Sequence, residues 1–110
     1  MAYDSDLAQR LRDVVATEPG VTEKPMFGGL AFLLSGNLAV SASSKGGLLV
    51  RIEPVATESL VKEPNVHRFR MRGREMDGWL HVDATALETD EELRRWVSHG
   101  LEYARTLPAK

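Results

Sequence analysis

The chain has 110 residues, 43% of them hydrophobic and 27% charged, with 14 basic side chains against 16 acidic ones for a formal net charge of -2. That length suits one domain with one hydrophobic core, and the charge argues against a wholly basic nucleic-acid protein, so any contact with a polyanion must be local. Without cysteine there is no disulfide, thiolate nucleophile or Cys-type metal site, and the opening Met-Ala-Tyr-Asp-Ser-Asp has neither the basic nor the apolar region of an export signal. A single cytoplasmic domain over residues 1–110, with no membrane span, is expected.

Asp4 or Ser5 caps a first predicted helix, in which Leu7, Leu11, Val14 and Val15 recur at i, i+4, i+7 and i+8 before Pro19-Gly20 stops it. Val21 to Met26 carries Pro25, which cannot donate to a ladder, and reads as an edge segment. Leu30 to Leu34 is the densest apolar run. With Leu38 to Ser43 it predicts a hairpin across Ser35-Gly36-Asn37, and the loop length decides which side chains share a face. A three-residue loop places Leu30, Phe32 and Leu34 beside Ala42, Val40 and Leu38, with Ala31, Leu33, Ala39 and Ser41 on the reverse. A two-residue loop would mix Phe32 with Ser41 and Ala39. The first register segregates large from small or polar side chains and is the expected one.

Ser44-Lys45-Gly46-Gly47 is a second turn, followed by a strand from Leu48 to Ile52 with Leu48, Val50 and Ile52 inward and Leu49 and Arg51 outward. Pro54 opens a short helix to about Lys62, and Val66 to Met71 and Gly78 to Val82 form a second strand pair joined by a charged loop over 73–77. Thr89 and Glu92 make a capping box, and Leu93, Trp96, Val97, Gly100, Leu101 and Ala104 continue an apolar stripe until Pro108. The order is α-β-β-β-α-β-β-α. It predicts an α+β two-layer sandwich, an antiparallel sheet with helices on one face.

No catalytic motif emerges. His81 and Asp83 share a face with Trp79, but two ligands are not a metal site, and no spacing links them to His67 or His99. Gly28-Gly29 and Gly46-Gly47 fit neither phosphate-loop pattern, so no catalytic residue, metal or cofactor is assigned. Two surfaces stand out instead. Strand alternation over residues 67–74 would place Arg68, Arg70, Arg72 and Arg74 on one side as an anion- or partner-binding ridge, unless Glu53, Glu63, Glu75 or Asp77 pairs with them. Ala31, Leu33, Ala39 and Leu49 would form a helix-free apolar face, predicting a homodimer or another protein partner there. The acidic Glu75 and Asp77 beside the arginines place nucleic acid behind a protein or small-anion partner.

Lys24-Pro25-Met26-Phe27-Gly28-Gly29 with Phe32, the Ser35-Gly36-Asn37 turn, Gly78-Trp79 and the closing Leu93-x-x-Trp96-Val97 helix together resemble the TfoX N-terminal domain family. The resemblance spans nearly the whole chain, and its most specific piece is Met26-Phe27-Gly28-Gly29 between first helix and hairpin. It implies an α+β domain with the order above and kinship with a bacterial regulator of natural competence, where a helical C-terminal domain follows. The chain ends at Lys110, so a stand-alone domain is expected. An interaction or regulatory role leads, an anion or nucleic-acid binder comes second and an enzyme third.

Overall fold

Asp4 opens the first helix, its carboxylate accepting from the backbone N–H groups of Asp6 and Leu7 at 2.9 and 3.2 Å, which satisfies two donors that helical geometry leaves orphaned. The computed structural model describes residues 3–26, 28–71 and 73–109; Phe27 and Arg72, singled out above, lie outside the described residues. Helix α1 covers Ser5–Val15 and buries Leu7, Ala8, Leu11 and Val15. Among the described residues six strands follow: β1 (Val21–Met26), β2 (Gly29–Leu34), β3 (Asn37–Ala42), β4 (Leu48–Arg51), β5 (Val66–Met71) and β6 (Arg74–Val82). A 3-10 turn (Pro54–Ala56) and the one-turn helix α2 (Thr57–Leu60) separate β4 from β5, and a second 3-10 turn (Ala84–Leu87) leads into α3 (Asp90–Thr106).

The strands form one antiparallel sheet in the order β1-β2-β3-β4-β6-β5. The fold is α+β, with α1 and α3 joining one sheet face in the main core around Phe32, Leu48, Leu80 and Trp96. The Val21–Met26 segment is a full edge strand, paired along its length with β2, so the sheet has one strand more than the predicted order counts. Pro25 is tolerated there because an edge strand pairs on one side only.

The β2–β3 hairpin combines features of both predicted registers. Ser35 and Gly36 take φ values of 51° and 85°, both positive, as a two-residue type I′ turn demands, and Leu34 pairs with Asn37. A bulge then follows, so that Leu33 opposes Leu38 while Phe32 opposes Val40, with Ala39 the extra residue. Turn chemistry sets the first pairs, and segregation of large side chains sets the rest. The correction falls on two residues: Ala39, expected on the reverse face, packs in the main core, and Leu38, expected inward, joins the smaller cluster on the reverse.

A second correction concerns β6. Residues 74–77 of the predicted loop are strand, and the chain reverses between Met71 and Arg74 instead. Its pairing with β5 shifts between Arg68 and Phe69, where the partner steps from Leu80 to Met76. The irregularity frees Gly78, at φ 88°, to donate its N–H to the buried Thr57 hydroxyl at 2.7 Å, tying α2 to the sheet.

The sheet also curls. In a flat sheet β1 and β5 would lie five spacings apart, roughly 24 Å. Met26 of β1 and Phe69 of β5 nevertheless line one cavity of about 90 Å³ with Ser41 and Leu49 from the middle strands. The curl buries Ala31, Leu38 and Leu49 with no helix among the described residues above them.

Candidate interaction surface

The arginines do not form one ridge among the described residues. Arg68 and Arg70 alternate on β5, but the chain reverses after Met71 and puts Arg74 on β6, opposite Met71. Arg70 and Glu75 oppose each other and share a face, so Arg74, next to Glu75, lies on the other one. Arg68 Nε donates to Asp77 Oδ1 at 3.1 Å, and Arg70 lies 3.6 Å from Glu75. Sequence proximity had marked Glu75 and Asp77 as partners correctly. Glu63 belongs elsewhere, in a bidentate pair with Arg95 at 2.7 and 2.5 Å that holds the Glu63 carboxyl below its ordinary range, first by hydrogen bond and then by charge.

Along the β5 edge runs an open groove of about 580 Å³, lined by every residue from Val66 to Arg70 together with Lys45, Val61 and His81. Successive side chains on a strand point to opposite faces, so a hollow lined by consecutive β5 residues reaches the edge, and Ser43 and Lys45 near the β3–β4 turn and His81 of β6 extend it inward across the sheet. At one end of the groove the cross-strand register brings His67 beside His81, and Asp83 sits between them at 2.9 Å from His67 Nε2 and 3.4 Å from His81 Nδ1. The other ring nitrogen of His81, Nε2, donates to the Gly46 carbonyl at 2.7 Å, which assigns the hydrogen to that atom. The His81–Asp83 pair was visible in the sequence. His67 was not, because cross-strand pairing has no fixed sequence spacing. His81 thereby clamps the β3–β4 turn, and among the described residues no trio of histidine and carboxylate groups has metal-holding geometry.

The expected interface residues divide differently. Ala31 and Leu49 are buried beneath the curl, Ala39 is buried on the helix side, and Leu33 alone of the four stays half-exposed. Around it on the reverse face lie the half-buried Met26, Phe69 and Trp79. Arg51 stands over the Trp79 ring at 5.2 Å and the Tyr103 ring at 5.5 Å, placing a cation at the border of that patch. A separate cleft of about 470 Å³ between α3 and the Pro54–Ala56 turn is lined by Glu53, His99, Glu102 and Tyr103.

No helix among the described residues is long and apolar enough to cross a membrane. No curated protein and no solved structure matches the chain significantly. A model of the TfoX N-terminal domain matches residues 13–104, a span holding all six described strands, most of α3 and the end of α1. The chain belongs to the TfoX N-terminal domain family.

Proposed function

We propose that this chain is a non-catalytic, regulatory protein-interaction domain of a bacterial cytoplasm. The observation that carries the reading is the one-sidedness of the sheet: α1 and α3 both pack on one face, while the reverse carries half-buried Met26, Leu33, Phe69 and Trp79 with charge at its margin. Such a patch, apolar within and polar at the rim, is what a protein partner recognises. A binding rather than catalytic role is supported by His81, whose Nε2 is committed to a backbone carbonyl and so is not poised to exchange a proton with a substrate.

The partner is proposed to be another protein rather than a second copy. Three of the four residues expected to build a dimer face, Ala31, Ala39 and Leu49, are already buried within the protomer and offer little area to a twin. Nucleic-acid binding ranks second, since Asp77 on Arg68 and Glu75 opposite Arg70 lower the local positive charge that a long polyanion needs.

A pull-down from the native cytoplasm with wild type, Leu33→Glu and Trp79→Glu is the experiment. A partner captured by wild type and lost from both variants is expected. Identical capture by all three would remove the reverse face from the reading. Sedimentation equilibrium at micromolar concentration should give a monomer; a dimer abolished by Leu33→Glu would make the partner a second copy.

A further inference from the structure

We propose that the outer edge of β5 receives an extended acidic segment of a partner protein as a seventh strand. The inference rests on the protein-interaction reading and supplies the place and chemistry of docking. Strand β5 pairs with β6 alone, and among the described residues no backbone hydrogen bond outside that ladder reaches Val66–Met71. The Asp83 N–H donates to the Asn65 carbonyl at 2.9 Å, which makes that opposed pair the hydrogen-bonded kind. Antiparallel alternation then assigns His67 and His81 to the same kind and turns the N–H and C=O of Val66 and Arg68 outward. Four backbone groups are thus aligned for an incoming strand. The irregularity after Arg68 limits pairing to this half of the edge.

The opposite edge of the sheet is defended. Strand β1 contains Pro25, and its Glu23 is held by Arg12 of α1 at 2.8 and 3.0 Å. Strand β5 has no proline, and its groove offers side-chain chemistry for a partner. Lys45, Arg68 and Arg70 line it against one carboxylate, Glu75, with Asp77 on Arg68 and Asp83 between the histidines outside the lining. Lys45 has no ion-pair partner among the described residues, and the Arg70 side chain is 70% exposed at the long 3.6 Å separation from Glu75. Both cations are open to a carboxylate supplied from outside. Val61, Val66 and Phe69 add an apolar floor for the residues between acidic positions. A second copy fits poorly, because pairing β5 with its own copy would crowd Arg68 and Arg70 of both chains together across the new ladder.

Fluorescence anisotropy with a short labelled peptide alternating threonine and glutamate tests the assignment. Wild type should bind it with an affinity that falls as salt rises, and should not bind the lysine-for-glutamate version. N-methylating alternate amides of the peptide should weaken binding at least about tenfold, and Arg70→Glu or Lys45→Glu at least about fivefold, with circular dichroism showing each variant folded. Binding indifferent to N-methylation overturns strand addition. No binding by wild type overturns the acidic-segment assignment. Tighter binding of a single-stranded oligonucleotide than of the peptide at near-physiological salt overturns it in favour of nucleic acid. A captured partner that survives Arg70→Glu and Lys45→Glu but is lost with Leu33→Glu upholds the interaction reading and overturns the edge.

Discussion

Replacing Gly100 by alanine should destabilise the protein, although alanine is the better helix former. Gly100 lies in the middle of α3 on the face turned to the sheet, over the bulge of β3. A Cβ there would come within 2.5 Å of the Ala39 carbonyl oxygen, 2.8 Å of Val40 Cγ1 and 3.0 Å of the Ala39 carbonyl carbon. Ordinary nonbonded contact needs roughly 3.5 Å, and two of these three atoms are backbone, which cannot rotate away. Helix α3 must therefore lift by roughly 1 Å, and a gap of that size forfeits a quarter to a half of the local dispersion energy. That loss falls on Trp96, Val97, Leu101 and Ala104, all buried on the same helix. Overpacking of this kind costs about 1–3 kcal/mol, and contact with backbone atoms that cannot move aside puts it at about 2–3; less a propensity gain of about 1 kcal/mol, a net loss of about 1–2 kcal/mol is expected. Urea denaturation of wild type and Gly100→Ala measures it, with Ser98→Ala on the exposed side of α3 as a control that should change stability by no more than about 0.5 kcal/mol. A Gly100→Ala protein as stable as wild type, or more so, would refute the close approach of α3 to the bulge.

Trp96→Ala should cost about 3–5 kcal/mol in the same assay, because the indole is buried in the main core; a loss below about 1 kcal/mol would contradict that burial. Thr57→Val keeps side-chain volume but leaves the Gly78 N–H without its acceptor, and should lose about 1–3 kcal/mol; a neutral result would show that another acceptor serves Gly78. Glu63→Gln should lose about 0.5 kcal/mol at neutral pH, a modest figure because both partners are partly solvated. Since Arg95 lowers the Glu63 pKa in the folded protein, the contribution is present above the unfolded glutamate pKa and disappears as pH falls through the folded value. Wild type and Glu63→Gln denaturation curves should therefore converge in acid; a constant offset across that range would point to a cause other than the charge.

Local chemistry wrote much of this architecture legibly. Asp4, the Thr89 N-cap and the apolar stripe from Leu93 to Ala104 are short-range signals, and each appears where its spacing puts it, although Glu92 takes the Thr89 hydroxyl rather than the backbone N–H a full capping box would use. Pro25 marked an edge, and the burial of Leu7, Leu11, Phe32, Val40, Val50, Trp96, Val97 and Leu101 follows from helix and strand periods alone, with Val14 of the same pattern only partly buried. These features depend on residues within a few positions of one another, so no knowledge of the rest of the chain was needed.

The tertiary structure decided what depends on distant partners. Ser35-Gly36 asked for a two-residue turn and the large side chains asked for the other register; only packing against α3 makes a bulge at Ala39 the joint solution, which also moves Leu38 and Ala39 to opposite faces. The curl that brings Met26 near Phe69 is a property of six strands together, and it converts Ala31 and Leu49 from a predicted exposed face into a buried one. The arginine pattern could not show that a hairpin turn divides it, nor could spacing show that His67 meets His81 and Asp83 across strands. Helix periodicity and caps are written along the chain, whereas register, curvature and cross-strand neighbours arise only when distant segments compete for the same core.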